Sequence, residues 1–264
     1  MLNRKIIIGN WKMNPVSLEE AESLFVDILK SVSTIRKTEI VVCAPFLYLE
    51  SLKKLSLKYS RRSETKKISL GAQNIFWKKN GAYTGEVSVD MLRDLGVKYV
   101  IVGHSERRAM GENNSDINKK IKISLKTGLF PVLCVGERER NDNHEYFNFI
   151  KTQLVGCLEG ISKNFISKII IAYEPIWAIS STVGRKNATP TDSREMVIYI
   201  RKILYDKFGK DSVRMKIIYG GSVNEKDAID FLQNGGVDGL LPGRASLNSK
   251  KFSKIIEICE ALSK

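Results

Sequence analysis

Eight short runs rich in Val, Ile and Leu punctuate the chain, with segments of helical period between them. The runs are KIIIG at Lys5 to Gly9, EIVVCA at Glu39 to Ala44, KISLGA at Lys67 to Ala72, and KYVIVG at Lys98 to Gly103. They continue with FPVLCVG at Phe130 to Gly136, KIIIAY at Lys168 to Tyr173, MKIIYG at Met215 to Gly220, and VDGLLPG at Val237 to Gly243. Runs that are apolar on both faces suit parallel strands covered by crossover helices. The intervening segments supply such helices. Ser17 to Ser33 gathers Leu18, Ala21, Leu24, Phe25, Ile28 and Leu29 on one face, and Asp192 to Phe208 gathers Met196, Val197, Ile200 and Leu204. These strand-helix units predict an α/β chain folded as one closed (β/α)8 barrel, a single domain over residues 1–264, and the length is near that of such a barrel. A doubly wound open sheet uses the same alternation and competes, although no GxGxxG or GxxxxGK[ST] follows any run. The expected loop excursions are Ser60 to Lys66, Asn74 to Gly85 and Ile179 to Pro190. In a barrel, chemistry gathers where strands end at their carboxyl side.

Composition narrows the function classes. The four cysteines, Cys43, Cys134, Cys157 and Cys259, form no CxxC pair and no Cys/His cluster, so neither a disulfide framework nor a metal site is expected. They read as reduced thiols in a cytoplasmic protein. Near the N-terminus only three isoleucines stand together, too few for a signal-peptide core, and no run is long enough to span a bilayer. The formal charge of +14 is spread along the chain, and its densest patch (Arg61, Arg62, Lys66, Lys67) is interrupted by Glu64. Diffuse positive charge attracts anionic substrates in general; it does not predict a dedicated nucleic-acid or membrane partner.

Polar candidates follow three of the runs. Asn10, Trp11, Lys12, Met13 and Asn14 follow the first, His104, Ser105, Glu106, Arg107 and Arg108 the fourth, and Glu174, Pro175, Ile176, Trp177 and Ala178 the sixth. Taken singly, Lys12 reads as a solvated lysine, His104 as a satisfied histidine at a helix start, and Glu174 as half of an ion pair. Their occurrence together on one rim points instead to a shared site. A carboxylate at a strand terminus, stiffened by Pro175, suits abstraction of a proton beside a carbonyl. Hydrogen bonding from His104, charge from Lys12 and a further donor in Asn10 suit the oxyanion that follows. Ser105 reads as the cap of a helix whose positive end keeps the imidazole neutral. The Gly220, Gly221, Ser222 turn and Gly243 offer backbone N–H groups to a phosphate, at the strand ends where barrels commonly hold one.

The segments GNWKMN, AQNIFWKKNGAYTGE, IVGHSERR, LCVGE, AYEPIWAI, YGGSV and DGLLPGRASL, in this order, resemble the triosephosphate isomerase family over essentially the whole chain. The resemblance implies a cofactor-independent aldose–ketose isomerase that interconverts glyceraldehyde 3-phosphate and dihydroxyacetone phosphate, in glycolysis and gluconeogenesis. It implies Glu174 as base, His104, Lys12 and Asn10 as catalytic partners, and Ser180, Ser222, Gly220, Gly221, Gly243 and Arg244 around the phosphate. Glu106 is implied as support for Lys12 and Glu137 for Trp177, with Ser105 and Tyr219 also supporting. The Asn74 to Glu86 loop resembles the arm that reaches into a second subunit, which implies a homodimer with Thr84 and Gln73 at the contact.

The chain departs from the family pattern in two places. Pro175 to Ala188 resembles a mobile lid, but AISSTVGRKNATP has a longer tip than the usual AIGTG form, with Ser180 in place of its first glycine. Pro242 and Arg244 alter the usual GGAS run. Pro242 lacks an N–H and marks the end of strand pairing, and Arg244 is expected to offer its backbone N–H to phosphate with its side chain turned outward.

Overall fold

A computed structural model describes residues 4–60, 68–179 and 187–263. The chain runs through β1 (Ile6–Asn10), α1 (Leu18–Ser31), β2 (Glu39–Cys43), α2 (Leu49–Ser60), β3 (Ser69–Ala72) and α3 (Val89–Asp94). It continues with β4 (Tyr99–Val102), α4 (Ser105–Ala109), α5 (Asn114–Thr127), β5 (Phe130–Val135), α6 (Glu145–Cys157) and β6 (Ile170–Tyr173). The last elements are α7 (Pro190–Phe208), β7 (Lys216–Tyr219), α8 (Ala228–Asn234), β8 (Gly239–Leu240) and α9 (Ser249–Ala261). The strands form a closed parallel barrel in sequence order. Closure excludes the open doubly wound sheet. The seam is short: Ile6 faces Gly239 and Ile7 faces Leu240 between β1 and β8, while β7 meets β8 only at Tyr219 and Leu240.

Seven of the predicted runs contain their strands, trimmed at one or both ends; β1 instead runs one residue past its predicted end, to Asn10. The largest trim is at β8, where VDGLLPG yields two strand residues, Gly239 and Leu240; beyond them single backbone bonds continue, from Leu241 N–H to Tyr219 O at 2.7 Å and from Asn10 N–H to Pro242 O at 2.9 Å. Local chemistry sets the helix limits. Ser17 stands in extended conformation and accepts the N–H of Glu20, so α1 begins at the next residue, with Glu19 and Glu20 favouring its positive end. α7 begins two residues before the predicted Asp192, because Thr189 and Asp192 form a reciprocal capping box and Pro190 fits the first turn without needing an N–H. α1 buries Ala21, Phe25, Ile28 and Leu29, four of the six apolar positions read from the sequence; Leu24 is half-buried and Leu18, in the first turn, is exposed. Phe25 is wholly buried, and Phe25→Ala would cost about 3–5 kcal/mol.

Strand alternation divides the interior into two cores. Ile6, Ile8, Val41, Cys43, Tyr99, Ile101, Val132, Cys134, Ile170, Ala172, Ile218 and Leu241 form one cluster, contributed by strands around the ring and filling the barrel. The intervening residues, such as Ile7, Val42, Val100, Leu133, Ile171 and Ile217, join the helices in the larger outer cluster. A filled barrel leaves open space only at its rims. The strand ends at the carboxyl side therefore hold a site on a rigid, two-sided core.

Candidate active site

The site begins at the end of β1. Asn10 is buried, and its Oδ1 accepts the backbone N–H of Lys12 at 3.0 Å. Lys12 has φ +54, a left-handed conformation that a lysine adopts at a cost. Two contacts hold it there: the Asn10 bond on its N–H and the Gln73 amide, which donates to the Lys12 carbonyl at 2.8 Å and to that of Cys43 at 3.0 Å. The turn brings the Lys12 ammonium to Glu106, with Nζ 2.6 Å from Oε1. A charge-assisted bond of that length fixes the direction of a long flexible side chain.

β4 delivers His104. The sequence points to Ser105 as the helix cap, but the structure gives that place to His104, whose Nδ1 accepts the N–H of Glu106 at 3.2 Å. The backbone is extended at His104 and turns helical at Ser105, so only the histidine side chain can reach back to the second helical N–H. An acceptor at Nδ1 makes Nε2 the nitrogen that carries the proton. Nε2 lies 3.3 Å from Oε1 of Glu174. That approach falls outside hydrogen-bond geometry, since Oε1 is buried without a hydrogen-bond partner among the described residues.

β6 delivers Glu174, only 2% exposed. Its backbone N–H bonds to Val135 O at 2.8 Å, and Oε2 accepts the N–H of Ser105 at 3.2 Å. A Cβ on Gly136 would stand 1.8 Å from the Glu174 carbonyl, and one on Gly220 would stand 2.9 Å from Cγ of Glu174. Both neighbours must therefore lack a side chain. Burial pushes the Cys134 thiol well above its ordinary range, and the Glu174 carboxylate beside it pushes it further.

Behind Glu174, the carboxylate of Glu137 ties the next turn. One oxygen accepts from Tyr173 Oη and Trp177 Nε1, each at 2.8 Å, and from Arg140 Nε at 3.1 Å. Arg140 extends the cluster to Asp192 and Glu195 in the first turns of α7, at 3.2 and 2.9 Å, and its guanidinium lies over the Trp177 ring. Burial, then the charge of Glu137, raises the Tyr173 phenol well above its usual pKa.

Asn10, Lys12, His104 and Glu174 line one cavity of about 300 Å³ with Gly220, Gly221, Ser222, Gly243 and Arg244. Nine residues singled out in the sequence thus meet on one surface. Their supports are adjacent: Ser105 and Glu106 against the catalytic candidates, Glu137 on Trp177, and the Tyr219 ring directly beneath Gly221. Arg244 is exposed at the cavity. Ser180 and the rest of 180–186 lie outside the described residues, as do Arg61, Arg62, Lys66 and Lys67. Thr84 is exposed and does not line this cavity. Gln73, expected at a subunit contact, directs its amide within the chain to Lys12.

Sequence reasoning missed this role of Gln73, and it missed Arg140 and Tyr173. Arg140 stands in a run of charges and Tyr173 inside a strand, so neither carried a local signal. Among the described residues, no group of three or more His, Cys, Asp or Glu is placed to hold a metal ion. No described helix is long and apolar enough to cross a membrane.

Comparison with known proteins follows the same outline. The family model described as Triosephosphate isomerase matches residues 5–259. The triosephosphate isomerase of Alkaliphilus oremlandii is 40% identical over 97% of this chain and 99% of its own. That of Dictyoglomus thermophilum is 42% identical over 97% of this chain and 100% of its own. The crystal structure of triosephosphate isomerase from Bartonella henselae superposes with a TM-score of 0.81 at 31% identity, covering 97% of this chain and 98% of that one. With its barrel, its rim and its full-length relatives in agreement, this chain belongs to the triosephosphate isomerase family.

Proposed function

We propose that the chain interconverts D-glyceraldehyde 3-phosphate and dihydroxyacetone phosphate by proton transfer through an enediolate, without a cofactor. The observation that carries this reading is the pairing of Glu174 and His104, 3.3 Å apart at a cavity lined on its other side by glycine-rich strand ends. Glu174 takes the proton from the carbon beside the carbonyl and returns it to the neighbouring carbon. Its buried Oε1, which has no hydrogen-bond partner among the described residues, is the oxygen available for that transfer. As negative charge builds on the substrate oxygen, His104 donates from Nε2 and Lys12 contributes a fixed positive charge. With its Oδ1 engaged by Lys12, Asn10 has its amide N–H groups left for the substrate. Backbone N–H groups at Gly220 to Ser222 and Gly243 to Arg244 hold the phosphate, which fixes the reacting carbons against Glu174.

The same reading includes a homodimer acting in the cytoplasm, in glycolysis and gluconeogenesis. Met13, Leu47 and Met110 are exposed apolar side chains on the loops after β1, β2 and β4, and Tyr83 and Thr84 are exposed after β3. These strands are neighbours in the barrel, so their loops make one apolar side of the rim, which a second copy would cover. Sedimentation at the mass of one chain would count against the dimer. The reaction is tested by following glyceraldehyde 3-phosphate turnover with a dehydrogenase that consumes dihydroxyacetone phosphate, beside Glu174→Gln. Fast turnover abolished by the substitution is expected; folded protein without turnover overturns the proposal.

A further inference from the structure

The cavity extends past the glycine-rich phosphate cradle. Its lining continues from Gly243 to Arg244, Asn248 and Lys251, whose side chains are not part of the backbone cradle. Arg244 occupies a position where the family pattern has glycine, so the guanidinium is an addition at the mouth of an anion site. Lys251 stands in the first turn of α9, where Asn248 fixes the backbone by accepting the Lys251 N–H at 3.0 Å. Each of α1 to α8 carries an acid in its first turn, whereas α9 has none and places Lys250 and Lys251 there. Positive charge at the positive end of a helix is unfavourable on its own, and an anion bound between the lysine and Arg244 reverses the sign. The acid nearest Lys251 is Glu225 at 3.8 Å, beyond hydrogen-bond distance, so the ammonium keeps its donors for another partner.

We propose that Arg244 and Lys251 form a second anion subsite beside the phosphate cradle, so that the rim accepts two linked phosphoryl groups, the chemistry of a diphosphate. The first group sits on the backbone N–H groups at Gly220 to Ser222 and Gly243. The second reaches the guanidinium and the ammonium at the cavity mouth. The inference rests on the reading of those glycine-rich turns as a phosphate cradle. It predicts that diphosphates compete with the triose phosphate for the same cavity.

Calorimetric titration of the intact protein with orthophosphate and with pyrophosphate tests it at one ionic strength. Pyrophosphate is expected to bind about tenfold more tightly or better, the gain from one or two hydrogen bonds to charged groups. In Lys251→Met the advantage shrinks while orthophosphate affinity stays within about twofold, and in Arg244→Gly with Lys251→Met it disappears. A ratio near one in the unsubstituted protein, or a large ratio that both substitutions leave intact, overturns the subsite. ADP separates the sources: binding that matches pyrophosphate assigns the subsite to nucleoside diphosphates, and binding of pyrophosphate alone assigns it to small diphosphates. A ratio near one in protein that turns over glyceraldehyde 3-phosphate defeats only this inference. A large ratio in a folded but inert protein defeats only the isomerase reading.

Discussion

Both rims of the barrel tie charged groups to the chain, but they differ in what they leave without a partner. At the amino ends of the strands, charged groups bind the chain to itself. Asp238 accepts from Arg201 at 2.7 Å and from the N–H of Ile217 at 2.8 Å, and Arg201 also donates to Met215 O at 2.6 Å. Glu260 accepts the N–H groups of Arg36, Lys37 and Thr38 between 2.7 and 2.9 Å, and Glu39 accepts from the Tyr99 hydroxyl. At the carboxyl ends, Oε1 of Glu174, Oε2 of Glu137 and the hydroxyl of Tyr219 are buried without a hydrogen-bond partner among the described residues. Lys12 there holds a backbone conformation unfavourable for its type. A buried polar atom without a partner costs about 1–3 kcal/mol, so one rim adds stability and the other gives some of it up; of these three groups Glu174 is the one that lines the cavity.

The sharpest way to break this contrast is Glu174→Gln. Turnover should fall roughly 10²–10⁴-fold with KM nearly unchanged, since the base is lost and the phosphate grip is not. The melting temperature should hold or rise, because a buried negative charge is replaced by a neutral amide. A folded variant keeping a tenth or more of the activity would take Glu174 out of the proton transfer.

Lys12→Met comes next, with kcat/KM expected to fall roughly 10²–10³-fold. An unchanged value would reduce Lys12 to a strut for Glu106. At the opposite rim, Asp238→Ala should cost about 2–4 kcal/mol in denaturant unfolding, because it leaves Arg201 and the Ile217 N–H without their shared acceptor. Turnover there should not change; a loss comparable to that of Lys12→Met would erase the division between rims.

The smallest effect depends on pH. Burial raises the Glu260 pKa, but the N–H groups of Lys37, Arg36 and Thr38 outweigh it and hold the carboxyl at about 2, below the ordinary 4.5. A lowered folded-state pKa stabilises above the unfolded value and loses that contribution as pH falls through the folded value. The stability gap between the unsubstituted protein and Glu260→Gln should therefore be full above pH 4.5 and close toward pH 2. A gap that is flat with pH would show that shape, and not charge, holds the Arg36 to Thr38 turn.

Much of the working rim was legible in the sequence because its parts sit at strand ends, where an apolar run stops and a polar residue begins. Asn10, His104 and Glu174 are each the first or second polar residue after such a run. What stayed hidden depends on distance or on backbone angle. Gln73 acts on Lys12 from 61 positions away, and Arg140 reaches Asp192 across 52. No propensity announces a lysine at positive φ, and cap preferences favoured Ser105 over the histidine before it.

The seam between β1 and β8 also governs when the enzyme comes into being. Asn10 and Lys12 leave the ribosome well before Gly243, which faces the same cavity. Until Ile6 and Ile7 meet Gly239 and Leu240, the sheet has two bare edges and the cavity lacks a wall. A chain cut short before that strand lacks the cavity lining that Leu241, Gly243 and Arg244 supply. Turnover in a cell extract thus counts only finished molecules, and the unfinished ones present the unpaired edges that chaperones and proteases engage.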